Sequence, residues 1–350
     1  SGTEQKAATS RQSGECMGAE KARACLGARY RLPCAMLQLL YVLVAANAAA
    51  QPYPARPITV LIGNPPGNAT DIMARTMTEE VKSSLKQNFV MINRPGANGS
   101  IAVESFRRAR PDGYTLLFAS MTMAVVNPHT QADARYNVAE DFEPIARFLQ
   151  QPLIWVVDKG SPLRSLREVI EQARKNPDQL RVSRLGYGGS THLVSTALMM
   201  KQNVRLSIIP FAASSDSFSA LRRGDIELAV DLPQPLLPRI KSGDLLPLAV
   251  TSLARLKMLP DVPTASEVGL MDTPLTAWYA IMAPKGTPRE VIDLLNGEFN
   301  RALLSPRLRQ QFEDVGGIVQ PLNPDELRRF MREEHQRWGQ IVKSADLKPE

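Results

Sequence analysis

Three short runs of small and hydroxyl-bearing residues are the parts of this sequence best suited to chemistry. They are Gly67–Asp71, Ser120–Thr122 and Gly188–His192, and each follows an apolar segment typical of a buried strand. A strand that turns directly into a helix leaves the first helical N–H groups without partners. Those groups, with the positive end of the helix dipole, attract a carboxylate. The chemistry that these runs favour is therefore anion binding.

Each run taken alone is also typical of an ordinary turn with a helix cap. Three such runs in two α/β units, each able to face one cleft, favour a shared binding site instead, because ligands of open parallel sheets lie at the carboxyl ends of the strands. We therefore interpret the three runs as one ligand-binding site.

Catalytic signals are weak by comparison. Gly188–His192 lacks the second glycine of a nucleophile elbow, and His192 follows Ser190 too closely for the usual division between nucleophile and base. The other histidines, His129 and His335, form no two-histidine metal spacing with it. We expect no enzymatic activity, no cofactor and no metal.

The elements that position these runs are predicted from hydrophobic periodicity. Ile58–Ile62 is predicted as a strand, and the fourfold spacing of Met73, Met77, Val81 and Leu85 predicts a helix. Further strands are predicted at Phe89–Ile92, Tyr114–Ala119, Pro152–Val157, Arg181–Arg184, Arg205–Ile209, Ile226–Val230, Leu246–Thr251 and Trp278–Ala283. The alternation of strands with helices predicts parallel pairing and an α/β fold.

The pattern restarts after the predicted strand Pro152–Val157, and Trp278–Ala283 can cross back towards the first unit. We therefore predict two α/β lobes that enclose a cleft. One lobe comprises residues 51–156 and 277–350, and the other comprises residues 157–276.

The first 50 residues have the pattern of a secretory signal peptide. Basic residues precede the apolar run Leu32–Ala46, and Ala48–Ala50 resembles a small-residue cleavage site. A buried N-terminal helix is the alternative. All three cysteines, Cys16, Cys25 and Cys34, lie in this segment, so the exported chain needs no disulfide. We expect removal of residues 1–50 and a periplasmic location.

The formal net charge of +7 is spread along the chain, with acidic residues between the basic ones. There is no basic block with interleaved aromatic residues, which argues against nucleic-acid binding.

Several motifs, in order, resemble those of one protein family. They are Tyr53–Ile58, Pro66–Gly67, Thr70–Asp71, Asn93–Ala97, Pro111–Leu116, Gly189–Leu193, Leu259–Thr264 and Ala283–Pro288. Together they cover about residues 53–346, and they resemble the substrate-binding proteins of tripartite tricarboxylate transporters, which are called Bug proteins.

The resemblance implies a two-lobed periplasmic-binding-protein fold of the Venus-flytrap, type II-like kind, with each lobe a central sheet flanked by helices. It also implies that main-chain N–H groups and small side chains grip a ligand carboxylate. Carried onto this chain, the ligand-binding residues are Gly67, Asn68, Ala69, Thr70, Asp71, Ser120, Thr122, Ser190, Thr191, His192, Ala213 and Asp231. We expect Asp71 to cap its helix or to order water, since a bare carboxylate would repel the ligand. His192 is either a ligand contact or a packed residue at the start of its helix.

This sequence departs from the family pattern inside the predicted site. Asn68 replaces the second glycine of the usual Pro-Gly-Gly, and its side chain is expected to enter the ligand space. Gly63–Asn64 stands where Pro-Phe is common, and Pro210–Ala213 replaces Pro-Tyr-x-Gly. No specific ligand therefore follows from the resemblance.

The function that these observations predict is capture of a small carboxylate by hinge closure. A di- or tricarboxylate, an acidic amino acid and an aromatic acid all fit. The expected partners are this ligand and the membrane permease subunits of a tripartite transporter, and the chain is expected to be a monomer. Two alternatives remain open, a sensor subunit that signals to a membrane receptor and an exported hydrolase that uses Ser190.

Overall fold

Two groups of β-strands organise the part of the chain that this computed structural model describes, residues 52–345 and 347. The strands are β1 Ile58–Ile62, β2 Phe89–Asn93, β3 Thr115–Ser120, β4 Phe142–Pro152, β5 Ile154–Asp158, β6 Arg181–Leu185, β7 Ser207–Phe211, β8 Ala229–Asp231, β9 Leu245–Val250 and β10 Thr276–Pro284. The α-helices are α1 Ala69–Leu85, α2 Ser100–Arg107, α3 Asn127–Thr130, α4 Val138–Asp141, α5 Leu166–Lys175, α6 Ser190–Gln202, α7 Ser214–Arg223, α8 Pro233–Lys241, α9 Arg289–Leu303, α10 Pro306–Asp314 and α11 Pro324–Ser344. A 3₁₀ turn covers Ala97–Gly99, and a π-helical turn covers Thr122–Val126. The predicted signal peptide lies outside the described residues.

The first sheet has the strand order β2-β1-β3-β10-β4. β1 pairs in parallel with β2 and β3, as the alternation of strands and helices predicts. β10 pairs antiparallel with both β3 and β4, so the sheet is mixed. The prediction of purely parallel pairing was wrong here, because β10 enters the sheet from the other lobe and not through a local crossover helix.

The second lobe has an antiparallel group, β8-β5-β9, and a parallel pair, β6-β7. A single bridge between Val182 and Leu228 joins the two groups. The N–H of Ser183 donates to the Leu228 carbonyl over 3.1 Å, so β6 lies beside the start of β8. This places the loop after β6 next to the loop after β8.

The chain passes between the two lobes at Leu153 and again before β10. The Leu153 N–H donates to Thr251 Oγ1 over 2.8 Å, and the Thr251 N–H donates to the Leu153 carbonyl over 3.0 Å. Leu275 N–H donates to the Thr251 carbonyl over 3.1 Å. Thr251 thus joins the two crossing segments. The change of sheet falls at Leu153, three residues before the boundary expected from sequence.

The core confirms the predicted apolar face of α1. Met73, Met77, Val81 and Leu85 are all buried beneath the first sheet. At the other end of the chain, α11 begins with a capping box in which Asn323 and Glu326 bond each other's backbone N–H groups. α11 packs against β4 and also against α6 of the other lobe.

One long strand was missing from the sequence prediction. β4 carries Arg147 in its middle, and that side chain is only 3% exposed. A buried arginine hides the apolar pattern on which strand prediction depends. Among the residues that the structure describes, no helix is long and apolar enough to cross a membrane.

Candidate functional site

A cleft of about 440 Å³ lies between the loops of the first sheet and those of the second lobe. Its lining residues are Gly63, Asn64, Pro65, Thr70, Pro95, Gly96, Asn98, Gly99, Ser120, Met121, Thr122, Gly186, Tyr187, Gly189, Ser190, Leu232, Ala277, Trp278 and Tyr279. No charged side chain occurs among these described lining residues. Polar contact with a ligand therefore comes from hydroxyls, amides and backbone N–H groups.

The first loop of the cleft is shaped by a reciprocal cap. Asn68 Oδ1 accepts the N–H of Asp71 over 3.0 Å, and Asp71 Oδ2 accepts the N–H of Gly67 over 2.9 Å. Gly67 has φ +81°, whereas Asn68 has φ −77°. The side chain of Asn68 is thus committed to the helix start and does not line the cleft, contrary to the expectation that it enters the ligand space.

Asp71 fastens this loop to the neighbouring strand. The carboxylate of Asp71 accepts Arg75 Nε–H over 2.9 Å and Asn93 Nδ2–H over 2.9 Å. Asn93 Nδ2 also donates to the Asn64 carbonyl over 2.9 Å. The hydrogen bond from Arg75, helped by those from Gly67 and Asn93, lowers the pKa of Asp71 to about 2 against the opposing effect of burial. The N-cap of α1 is Asn68, and Asp71 instead holds the backbone N–H of Gly67, the residue before that cap. A role of Asp71 in ordering water stays a prediction.

The end of β3 and the helical turn that directly follows it add the hydroxyl groups of Ser120 and Thr122 to the cleft. Close packing sets the shape of this region, because a Cβ at Gly63 would lie 2.7 Å from the Cα of Gly99 and 2.8 Å from Met123 Sδ. A larger residue at Gly63 would push these loops apart. This close approach is a physical reason for the departure from Pro-Phe at this position.

On the second lobe, Ser190 faces the cleft at the start of α6, while the side chains of the next two residues, Thr191 and His192, turn away from it. Thr191 Oγ1 accepts the Leu185 N–H over 2.8 Å and lies 3.2 Å from the Leu185 carbonyl. His192 Nδ1 accepts the Gly188 N–H over 3.2 Å. Both side chains are buried and hold the loop in place.

Burial lowers the pKa of His192 to about 4, and the nearby charge of Arg184 adds to this effect. The ring is therefore neutral at pH 7, which suits its role as acceptor for Gly188. Among the described residues no hydrogen bond joins Ser190 to His192. The geometry offers no support for the nucleophile–base pair that a hydrolase would use.

The remaining sequence-predicted residues lie away from the cleft lining. Ala213 is exposed and precedes α7. Asp231 is buried, and its Oδ1 accepts the Leu232 N–H over 2.7 Å, while Oδ2 has no hydrogen-bond partner among the described residues. Burial raises the pKa of Asp231, and the hydrogen bond from the Leu232 N–H opposes this shift. Four of the predicted residues line the cleft in this structure, namely Thr70, Ser120, Thr122 and Ser190. The ligand contacts of the whole set remain a prediction.

Sequence reasoning missed the aromatic wall of the cleft. Trp278 and Tyr279 lie on β10, and Tyr187 lies between β6 and α6. The indole N–H of Trp278 donates over 2.8 Å to Glu334, a buried residue of α11. A sequence signal existed for this wall, because adjacent aromatic residues stand on the strand predicted to cross between lobes.

We expect the fold to lose stability as pH falls from about 6.5 to about 4, because the unfolded chain then protonates His192 and the native state does not. The loss attributable to this ring is roughly 1–3 kcal/mol. Urea unfolding of the wild type and His192→Gln at several pH values measures it. The other histidines are present in both proteins, so their contributions cancel. Parallel stability curves for the two proteins would contradict this role of His192.

Among the described residues, no group of three or more His, Cys, Asp or Glu side chains could hold a metal ion. The arrangement of the cleft is thus that of a neutral, partly aromatic cavity edged by N–H groups at two helix starts.

Comparisons with known proteins agree with this arrangement. A family model described as "Tripartite tricarboxylate transporter family receptor" matches residues 73–347. Protein BugT of Bordetella pertussis is 33% identical over 306 residues, which is 87% of this chain and 94% of BugT.

Two solved structures from Rhodopseudomonas palustris are also similar. A protein with adipate has a TM-score of 0.72 and 27% identity, and the match covers 85% of this chain and 100% of that one. MatC with bound malate has a TM-score of 0.69 and 28% identity, and the match covers 83% and 100%. The predicted two-lobed periplasmic-binding-protein fold is thereby confirmed. This chain belongs to the tripartite tricarboxylate transporter receptor family, whose members include the Bug proteins.

Proposed function

We propose that this protein is an exported receptor that captures a small carboxylate between its lobes and delivers it to the permease subunits of a tripartite transporter. The observation that carries the proposal is an uncharged cleft edged by the starts of α1 and α6. Such helix starts present N–H groups and a positive dipole to an anion. The relatives that hold malate or adipate support the same class of ligand.

The energetics of such a site are sufficient for a receptor. A hydrogen bond from an N–H group to a carboxylate contributes about 1.5–3 kcal/mol. Hydroxyls of Ser120, Thr122 and Ser190 add neutral donors around the same cavity. Two or three charge-assisted bonds, less the cost of ordering the ligand, reach about the micromolar range. No arginine in the cleft is needed to hold the first carboxylate.

Capture by hinge closure is part of the proposal. The chain crosses between lobes at Leu153 and again before β10, and both crossing segments bond to Thr251, at the end of β9. A narrow pair of crossing segments is a suitable hinge, since few backbone angles need to change for the lobes to approach. The change of sheet at Leu153 and the start of β10 at Thr276 move the lobe boundaries slightly from those expected from sequence, so we assign residues 51–153 and 276–350 to one lobe and residues 154–275 to the other.

Export is testable separately. We expect the full chain, expressed with its own leader in a Gram-negative host, to appear in the periplasmic fraction with Gln51 as its first residue. N-terminal sequencing of the recovered protein measures this. Protein that stays in the cytoplasm with residues 1–50 attached would contradict the proposed location.

We expect carboxylates, and not their neutral amides, to raise the melting temperature of the purified protein. A ligand at a hundred times its dissociation constant stabilises by about 2.7 kcal/mol, which corresponds to a rise of several degrees. Each carboxylic acid tested is paired with its amide, which has a similar shape but carries no charge. Equal stabilisation by acids and amides, or none by either, would overturn the proposed ligand class.

A further inference from the structure

Four consecutive residues between β2 and α2 have positive φ, and three of them line the cleft. The φ values of Gly96, Ala97, Asn98 and Gly99 are +121°, +46°, +49° and +92°. Gly96, Asn98 and Gly99 line the cleft, and the Gly99 N–H donates to the Gly96 carbonyl over 2.9 Å, which closes a turn. We call these four residues the left-handed turn. It forms part of the first-lobe wall of the cleft.

The left-handed turn is unfavourable for its own sequence. Glycine adopts positive φ about as readily as negative φ, but alanine does not, because its Cβ then lies too close to the following carbonyl oxygen. This preference of alanine for negative φ corresponds to a factor of about five to thirty in population. Asparagine tolerates positive φ better than alanine does. Ala97 is therefore the residue at which the turn most needs support from elsewhere in the fold.

α3 and the residue that follows it supply this support. Gln131 Nε2 donates to the Ala97 carbonyl over 3.1 Å, and Asn127 Nδ2 donates to the Asn98 carbonyl over 3.1 Å. Asn127 Nδ2 also lies 3.2 Å from Ser100 Oγ, and that hydroxyl is hydrogen-bonded to Gln131. Asn127 is fully buried, so its amide cannot exchange these bonds for bonds to water. The two central carbonyls of the turn are thus held by amide groups from a distant part of the chain.

The left-handed turn also fixes the two cleft loops beside it. A Cβ built on Gly63 would lie 2.7 Å from the Gly99 Cα, and one built on Gly99 would lie 2.7 Å from Met123 Sδ. Gly63 belongs to the loop after β1, and Met123 belongs to the π-helical turn that begins at Thr122. Because these contacts are close, movement at Gly99 would displace the segments that bring Asn64 and Thr122 to the cleft.

We propose that Gln131 and Asn127 are positioning residues for ligand binding, because they hold the left-handed turn in its binding conformation before the ligand arrives. Neither side chain lines the cleft. The inference rests on the proposed function, in which this cleft takes a small carboxylate. If the turn relaxes in the free protein, only a fraction of the molecules is competent to bind, and the apparent dissociation constant rises in inverse proportion to that fraction.

The test combines loss of each supporting amide with relief of the backbone strain. The variants are Gln131→Ala, Asn127→Ala, Ala97→Gly and the two double variants that join each loss to Ala97→Gly. Calorimetric titration with straight-chain mono- and dicarboxylates of four to six carbons measures affinity, and melting curves without ligand check that each variant folds. Exchange of the Gly99 amide hydrogen, followed without ligand, measures opening of the turn itself.

Two control variants match these changes. Gln340→Ala removes an exposed glutamine of α11 that does not line the cleft, and Ala132→Gly adds a glycine at an exposed position where φ is not positive. We expect Gln340→Ala to leave affinity unchanged. We expect Ala132→Gly to restore none of the affinity lost in Gln131→Ala.

We expect Gln131→Ala and Asn127→Ala each to weaken binding of the same acid about three- to tenfold and to speed exchange of the Gly99 amide by a similar factor. Ala97→Gly should restore affinity in each double variant to within about twofold of the wild type, because glycine adopts the native φ without penalty. A purely structural role of the two amides would lower the melting temperature without this rescue of affinity. Gln131 is only partly buried, so its variant tests the inference even if Asn127→Ala does not fold.

Three results would overturn the inference and leave the proposed function standing. They are an unchanged affinity in Gln131→Ala, a loss of affinity that Ala97→Gly does not restore, and exchange of the Gly99 amide in Gln131→Ala that is as slow as in the wild type. A wild type that binds none of these acids would count against the proposed function, and the ligand-binding role of the two amides would fail with it.

Discussion

Replacing Glu334 by alanine is expected to destabilise the protein by about 3–5 kcal/mol, because it removes one member of a buried charge network. Glu334 is 2% exposed, and its Oε2 accepts the indole N–H groups of Trp278 and Trp338, each over 2.8 Å. Arg337 pairs with the other carboxylate oxygen. Alanine would leave both indole donors buried without a partner.

Arg147 enlarges the expected effect. It is 3% exposed, its Nη2 donates to the side chain of Gln320 over 3.1 Å, and its guanidinium stacks on the Phe330 ring. Burial lowers the pKa of Arg147 to about 10, and the charge of Glu334 opposes this shift. Without Glu334 the buried cation loses the carboxylate that compensates it.

The effect should extend to the ligand site. Trp278 forms part of the cleft wall, and its ring also meets Phe330 edge-on at 5.5 Å. Release of its indole N–H lets the ring change position, so we expect the folded Glu334→Ala protein to bind its carboxylate about tenfold less tightly. Tryptophan emission should shift as well, because two of the three tryptophans lose their partner.

Urea unfolding measures the stability change, with Glu333→Ala as the matched control. Glu333 is the preceding residue of α11 and is exposed, so its loss should cost no more than about 0.5 kcal/mol. Glu334→Gln keeps an acceptor oxygen for the indoles and should fall between the two. A loss below about 1 kcal/mol in Glu334→Ala would mean that the indoles and Arg147 find other partners.

Replacing Asp71 by alanine is expected to lower carboxylate affinity about a hundredfold and stability by about 2–3 kcal/mol. Asp71 fixes the first loop through the N–H of Gly67 and through Asn93, whose amide also holds the Asn64 carbonyl. A loop freed from these bonds must be ordered again on binding, at about 1–2 kcal/mol per residue. Asp71 acts here as a positioning residue for the cleft.

Low pH should remove the contribution of Asp71 to the stability of the fold. The pKa of Asp71 is about 2 in the folded protein and near 3.8 when free, so the unfolded state binds the proton first as pH falls. The stabilisation is therefore complete above about pH 4 and disappears as pH approaches 2. Asp71→Asn has no carboxyl group to ionise at this position. The difference in free energy of unfolding between the wild type and Asp71→Asn should therefore decrease as pH falls from about 4 to about 2.

Thermal melts and calorimetric titration of Asp71→Ala test the prediction, with Glu79→Ala as control on the same helix. Glu79 is an exposed partner of Lys82 at 3.5 Å, a pair worth little at the surface. Glu79→Ala should keep both affinity and stability. An unchanged affinity in Asp71→Ala, with stability reduced, would show that the loop keeps its binding shape without this carboxylate.

Individual helices and strands were predictable from sequence, because the residues that determine each of them lie close together in the chain. The apolar stripe of α1 and the β-branched run of β1 both appear where periodicity places them. Ser165 caps α5 by accepting the Glu168 N–H, and Gly224 ends α7 in the left-handed conformation. The start and the end of each helix depend on residues that lie within about one helical turn of each other.

Pairing of strands distant in sequence was not predictable in this way. β4 and β10 lie more than a hundred residues apart, and their antiparallel ladder is set by the return of the chain from the second lobe. The buried Arg147 of β4 is satisfied by Gln320, 173 positions away. No residue close to β4 in the sequence indicates this partner. Because a charged residue interrupts the apolar run of β4, hydrophobic periodicity did not predict a strand there.

The sequence by itself determined the family, the strand–loop–helix units and the class of site, because order of motifs, periodicity and capping are written in neighbouring residues. Only the tertiary structure decided which side chains face the cleft. Ser190 faces it while His192 turns to Gly188, and Trp278 stands against it because Glu334 holds the indole. The direction of a side chain depends on contacts made across the fold, and those contacts exist only once the chain has closed on itself.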